Sequence, residues 1–328
     1  MKRRLRIFGI FLGIFLCALL LFGLSSPRRH TIGFTYSTVY AQYLGLDPVS
    51  DFEEILGYMP FEFVRIPVYW DRYESLNDLW QFEELQSLLD IASRHNVGVI
   101  LAIGQKVPRW PECFVPDWAE TLDQSTYEQE FLEFTSQVLE RFAQHPTVER
   151  WQVENESYFP FGECAPADPK LIKKETRLVR ELAPGRPIQT TVSGEQSIGL
   201  IKTAFSDIIG LSLYRSVAVP SLGKYTFPHT PLFYRVQKGL VRLGMSETVI
   251  SELQAEPWGL HEFDITTPEG LDAAYHAFTE KELEEQLRFA QRTGITEISV
   301  WGVEWWLALA RQGESRLWQG AQRILESL

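Results

Sequence analysis

After residue 30, short runs of consecutive apolar and β-branched residues alternate with longer stretches whose apolar positions recur every three or four residues. The first pattern is that of strands buried on both faces, the second that of helices with one buried stripe. Eight runs read as strands: Thr31–Tyr36, Phe63–Val68, Val97–Ile103, Glu149–Val153, Pro187–Val192, Ile208–Leu213, Thr248–Ser251 and Glu297–Trp301. Phe82–Arg94, Tyr127–Ala143, Pro169–Leu182 and Lys281–Thr293 read as helices between them. Eight strands alternating with helices predict a parallel (β/α)8 barrel, a TIM barrel. A doubly wound sheet is the alternative, but no glycine-rich phosphate loop follows the first strand. Neither internal repeats nor low-complexity tracts interrupt the pattern.

Residues 1–30 differ in kind. Lys2, Arg3, Arg4 and Arg6 precede an uninterrupted apolar run from Ile7 to Leu24, and Arg28 and Arg29 follow it. Eighteen apolar residues exceed a signal-peptide core and approach the roughly 20 that span a bilayer, so the segment reads as a transmembrane signal anchor. Cleavage after Ser25 or Ser26 would instead release a secreted protein. The excess of basic residues before the run places the N-terminus in the cytoplasm and residues 31–328 outside. Cys17, in mid-run, reads as a membrane-buried thiol. The 298 residues that remain suit one barrel domain, which needs about 250.

Charge narrows the partners. All 43 acidic residues but only 25 of the 31 basic ones lie beyond residue 30, a net charge of −18 for the exported part. Nucleic acid is excluded as a partner, and anionic glycans are repelled, whereas neutral carbohydrate is not. Cys113 and Cys164, the two cysteines outside the apolar run, can form one disulfide in an oxidising compartment if the fold brings them together. Without CxxC, HExxH or a His/Cys cluster, no metal site is expected, and no cofactor is implied. Oligomeric state is not legible.

The chemistry concentrates in loops that follow strands, where barrel enzymes build their sites. Ile103–Gln124, Glu154–Asp168, Tyr214–Tyr234 and Leu253–Thr267 far exceed the usual two to six residues. WQVENE puts Asn155 and Glu156 at the end of the fourth strand, and VISE puts Glu252 at the end of the seventh. Two carboxylates converging on one barrel face are what glycosidic bond cleavage requires. Glu154 and Glu256 compete for these places. Arg65, inside an apolar strand, needs a carboxylate partner, and Tyr214 closes the sixth strand.

Five pieces together, VRIPVYW from Val64, WQVENE from Trp151, Tyr214, VISE ending at Glu252 and SVWGVEWW from Ser299, resemble a clan of (β/α)8 retaining glycosidases. Their acid/base lies on strand four and their nucleophile on strand seven; cellulase- and mannanase-like families and barrel β-galactosidases belong to this clan. The resemblance implies a glycoside hydrolase with Glu156 as acid/base and Glu252 as nucleophile. It also implies Asn155 on the sugar 2-hydroxyl, Arg65 and Tyr214 on the nucleophile, and Trp301 under the reacting sugar. Trp70, Trp110 and Trp258, just past strand ends, are further candidates for stacking on sugar rings. Trp305 and Trp306 read equally as subsite or packing, and His229 and His261 as surface residues. The loop PRWPECFVPDW and the tail LQAEPW depart from the clan's pattern and leave the substrate open. A transglycosylase using the same residues, or a glycan-binding barrel without turnover, are the alternatives.

Overall fold

The computed structural model describes residue 13 and residues 29–164, 168–196, 206–219, 223–258 and 263–328. The apolar run Ile7–Leu24 lies outside them except for Gly13. Among the described residues, no helix is long and apolar enough to cross a membrane.

Eight parallel strands close into a barrel in chain order: β1 (Thr31–Thr35), β2 (Phe63–Pro67), β3 (Gly98–Ile103), β4 (Val148–Val153), β5 (Ile188–Val192), β6 (Ile208–Leu213), β7 (Glu247–Gln254) and β8 (Glu297–Trp301), with β8 pairing back onto β1 from Thr31↔Glu297. Residues alternate along each strand between the helix layer and the barrel interior. Ile32, Phe34, Val64, Ile66, Val99, Leu101 and Trp151 join the continuous apolar core under the helices. The interior is polar by contrast, which is unusual for a space normally filled by branched aliphatics. Arg65 spans it, donating to Thr35 Oγ1 on β1 at 3.0 Å, Gln152 Oε1 on β4 at 3.1 Å and Glu252 Oε1 on β7 at 2.8 Å.

The predicted helices form with local start signals. Asp123 accepts the backbone N–H groups of Ser125 and Thr126 ahead of Gln124–Phe142. Asp168, followed by Pro169, opens Pro169–Leu182. A reciprocal Thr279/Glu282 capping box opens Glu280–Arg292. Helices Ser50–Tyr58, Pro231–Leu243, Pro268–Ala277, Val303–Arg311 and Arg316–Glu326, and an antiparallel hairpin of Ser216–Val219 with Gly223–Thr226, are additions to the sequence reading.

The seventh strand is longer than its predicted span Thr248–Ser251, and it is irregular. Leu211 pairs with Ile250, but Ser212 pairs with Glu252, so Ser251 is an extra residue, and the pairing with β8 shifts at the same place. A bulge reverses the alternation. Ile250 and Leu253 thereby both face the apolar core, while Glu252 between them points into the barrel toward Arg65.

Candidate active site

The turn after β4 is built to present Glu156. Glu154 and Glu156 both have positive φ, 57° and 43°, a conformation that non-glycine residues adopt only when their surroundings hold them. Here the holding is backbone pairing: the Glu154 N–H donates to Ile103 O at 2.8 Å and the Asn155 N–H to Lys106 O at 2.7 Å. The Glu156 N–H donates to Thr191 Oγ1 at 2.8 Å. The carboxylate of Glu154 turns away from the cavity and accepts the N–H groups of Gln105 and Lys106 at 3.1 and 2.9 Å. Gly104, at φ 142°, leaves the room, since a Cβ there would lie 2.8 Å from the Glu154 carboxyl carbon. Of the two carboxylates that competed in sequence, Glu154 anchors the β3 loop and Glu156 faces the interior.

Glu156 and Glu252 meet across Ser212. The Ser212 hydroxyl reaches Glu156 Oε1 at 2.8 Å, and Ser212 is the register partner of Glu252. Glu252 is bound by the Arg65 guanidinium at 2.8 Å and by the Tyr214 hydroxyl at 3.0 Å, donors that stabilise a carboxylate. Among the described residues no cation pairs with the Glu156 carboxyl. Burial, then the charge of Glu252, then that of Glu112 hold its carboxyl well above the usual range. Two neighbouring carboxyls therefore sit in unlike surroundings, one bound by a guanidinium and a phenol and the other crowded by carboxylates.

Three further carboxylates complete the pocket, and sequence reasoning gave none of them a role. Glu112, at φ 60°, accepts from Asn155 Nδ2 at 3.2 Å, with Lys106 Nζ 3.3 Å from its other oxygen. Burial pushes it up to about 8. Asn155 is fixed on its other side by donors from Thr191 and Gln152, at 3.0 and 3.3 Å to Oδ1. Glu195 accepts from the Tyr214 N–H at 2.7 Å, the Tyr234 hydroxyl at 2.9 Å and Ser212 at 3.1 Å, and burial raises it to about 7. Glu304, fully buried and likewise raised to about 7 by burial, accepts the Ser37 N–H at 2.7 Å. The only sequence signals available for these were polar residues close to strand ends.

Glu256, the rival of Glu252, is tied to Arg109 and accepts the Tyr40 hydroxyl at 3.2 Å. Arg109 lies 3.6 Å from the ring centre of Tyr40 and 4.3 Å from that of Trp301. Gly302, at φ 114°, lets β8 pass, because a Cβ there would meet the Glu256 side chain at 2.6 Å. Trp301 is buried in the site between Arg65 and Arg109. Trp110, 62% exposed, contacts Phe161, which contacts Trp258, whose ring meets Tyr214 edge-on at 5.6 Å. These rings form one wall of the mouth. Trp70 belongs elsewhere, which corrects its reading as a stacking platform: it opens the short helix Trp70–Tyr73, so its ring turns under the loop into the core against Trp118 and Phe131, with Nε1 donating to Glu74. Trp305 and Trp306 are core. His229 packs on Phe233 with its Nε2 3.0 Å from Glu195 O, and His261 lies outside the described residues. Among the described residues no cluster of His, Cys, Asp or Glu could hold a metal ion.

Cys113 and Cys164 are bonded, joining the β3 and β4 loops across 51 residues. Closing a loop of that size in the unfolded chain is worth roughly 4 kcal/mol by the chain-entropy model. The Cys113→Ser/Cys164→Ser double variant is expected to lose about 2–5 kcal/mol in denaturant titration, and an unchanged midpoint would show that the bridge contributes nothing to stability.

No protein-family model matches this sequence, and no curated protein matches it. Solved structures do. A GH5_18 protein from Bifidobacterium longum superposes with a TM-score of 0.58 at 14% identity, over 84% of this chain and 70% of that one. Xylanase 10B from Thermotoga maritima gives 0.57 at 15% identity, over 91% and 95%. An exo-β-1,4-mannosidase from Opitutaceae bacterium strain TAV5 gives 0.56 at 15% identity, over 92% of this chain but 61% of its own length. At these identities the likeness is one of fold.

Proposed function

We propose that this chain is a retaining β-glycoside hydrolase that acts on neutral glycans outside the cytoplasm, tethered by its N-terminal apolar segment. One observation carries the reading: Glu252 is held by Arg65 and Tyr214, while the adjacent Glu156 has no cation partner among the described residues and is driven toward its protonated form. In the first displacement, a Glu252 oxygen attacks the anomeric carbon as the bond to the leaving oxygen breaks, and the Glu156 proton passes to that oxygen. A covalent glycosyl ester on Glu252 results. In the second, Glu156, now ionised, takes a proton from water as that water attacks the anomeric carbon, and Glu252 leaves as carboxylate. Asn155, oriented by Glu112, Thr191 and Gln152, offers its amide to the sugar 2-hydroxyl. The solved structures of similar fold include an exo-β-1,4-mannosidase, a xylanase and a complex with Manβ1-4GlcNAc, which supports β-linked neutral sugars as the class to screen.

The test is a panel of aryl β-glycosides of glucose, mannose, galactose, xylose and N-acetylglucosamine, together with β-glucan and mannan, followed by proton NMR of the released sugar. The β-anomer should appear first and mutarotate afterwards. First appearance of the α-anomer would overturn the double displacement, and failure on every substrate by folded protein would overturn the hydrolase reading.

A further inference from the structure

The helix Pro231–Leu243 carries an apolar stripe on the face turned away from the barrel. Tyr234, Gln237 and Val241 are its buried side. On the other side Leu232, Val236, Leu240 and Leu243 are 49%, 39%, 40% and 60% exposed, and Met245 just beyond is 94% exposed. Their spacing of four, four and three residues puts the four helical positions within about a quarter of the circumference, along roughly 16 Å of helix. Arg235 and Arg242 flank this stripe, and no acidic residue occurs between Pro231 and Met245. On a chain with net charge −12, that is an island of positive charge. Tyr225 of the neighbouring hairpin, also exposed, leads to the start of the helix through ring contacts with Phe227, His229 and Phe233.

This helix also sits where the chain enters the barrel. Arg235 Nε donates to Arg292 O at 2.8 Å and Lys238 Nζ to Gly294 O, in the turn that leads into β8. The Thr31 N–H, at the start of β1, donates to Thr296 O at 2.9 Å. Only residues 25–30 separate Thr31 from the apolar run, a tether of at most about 20 Å. Resting on the reading of that run as a membrane anchor, we infer that the stripe of Leu232, Val236, Leu240, Leu243 and Met245 lies in the headgroup region of the same bilayer, with Arg235 and Arg242 on anionic lipid phosphates. An apolar face edged by cations is the pattern of helices that lie in a membrane surface. Because the helix runs along the barrel's flank, this docking lays the barrel on its side and turns its mouth parallel to the membrane plane.

The test uses the full chain carrying Cys17→Ala and Leu240→Cys, spin-labelled with the Cys113–Cys164 bond intact. It is reconstituted into vesicles of phosphatidylcholine with or without 30% phosphatidylglycerol. A Glu133→Cys label, exposed on the helix Gln124–Phe142, is the reference. In anionic vesicles the 240 label should be several-fold more accessible to oxygen than to an aqueous nickel chelate, with the reverse at 133 and weaker immersion without phosphatidylglycerol. Anchored protein whose 240 label is as water-accessible as the 133 label would overturn the docking and leave the anchor standing. Protein that stays out of the vesicles would overturn both. Dipolar broadening between 240 labels would assign the stripe to a second copy and overturn the lipid contact, and equal immersion in both vesicle types would overturn the role of the basic edge.

Discussion

Replacing Glu252 by alanine is expected to lower kcat by about 10⁴-fold or more, some 5.5 kcal/mol of transition-state stabilisation, while the fold persists. The methyl group leaves room at the barrel mouth for a small anion beside Arg65 and Tyr214, the two donors that otherwise hold the carboxylate. External azide should occupy that space and attack the anomeric carbon once, giving an α-glycosyl azide from a β-glycoside. The configuration of that product is the decisive measurement. Activity within tenfold of the parent enzyme would remove Glu252 as nucleophile, and Glu256, bound to Arg109 and Tyr40, would be the next residue to replace.

The Glu156→Ala variant should show the complementary behaviour. A general acid contributes about 10²–10⁴-fold, and its removal matters most when the leaving group is basic. Turnover of an alkyl or sugar β-glycoside should therefore fall across that range, whereas a dinitrophenyl glycoside should still form the intermediate. Azide should now yield the β-glycosyl azide, opposite to the product of the Glu252 variant. The parent protein is also expected to show a sign in its pH profile. Because burial and neighbouring carboxylates raise the Glu156 carboxyl, its acid form persists beyond the usual carboxylate range and is lost as pH rises through its shifted value. The alkaline limb of kcat/KM should belong to Glu156 and vanish in the alanine variant. A limb that survives the substitution would assign it to another group, such as Glu112, which titrates near 8.

The barrel was legible because its strands are continuous apolar runs and its helices carry sharp boundaries, such as Asp168-Pro169 and Thr279 with Glu282. The strand-end logic likewise brought Asn155, Glu156, Glu252, Arg65, Tyr214 and Trp301 into one cavity. What sequence could not supply was direction. Trp70 and Trp301 both stand at strand ends, yet one ring turns into the helix layer and the other into the site, because a helix begins at Trp70 while Trp301 ends an inward-facing alternation. The seventh strand seemed to stop near Glu252 because the bulge at Ser251 breaks the period of two that defines a strand to a reader of sequence. Glu112 and Glu195 had no motif to announce them. Each acquires its place from loops folding back over the mouth, one fixed beside the Cys113–Cys164 bridge and the other beneath Tyr214 and Tyr234.

The Ser212 hydroxyl stands between two acids, 2.8 Å from Glu156 and 3.1 Å from Glu195, with a single proton to give. An acid/base residue must be equally at home in two states during one cycle, and a fixed donor would favour only one of them. A rotatable donor with a second acceptor in reach has no such bias. When Glu156 holds its proton, Ser212 can turn to Glu195; when Glu156 has delivered it, Ser212 can turn back and steady the new charge. Under the proposed double displacement this hydroxyl would follow the proton of Glu156, narrowing the difference in energy between the two halves of the cycle.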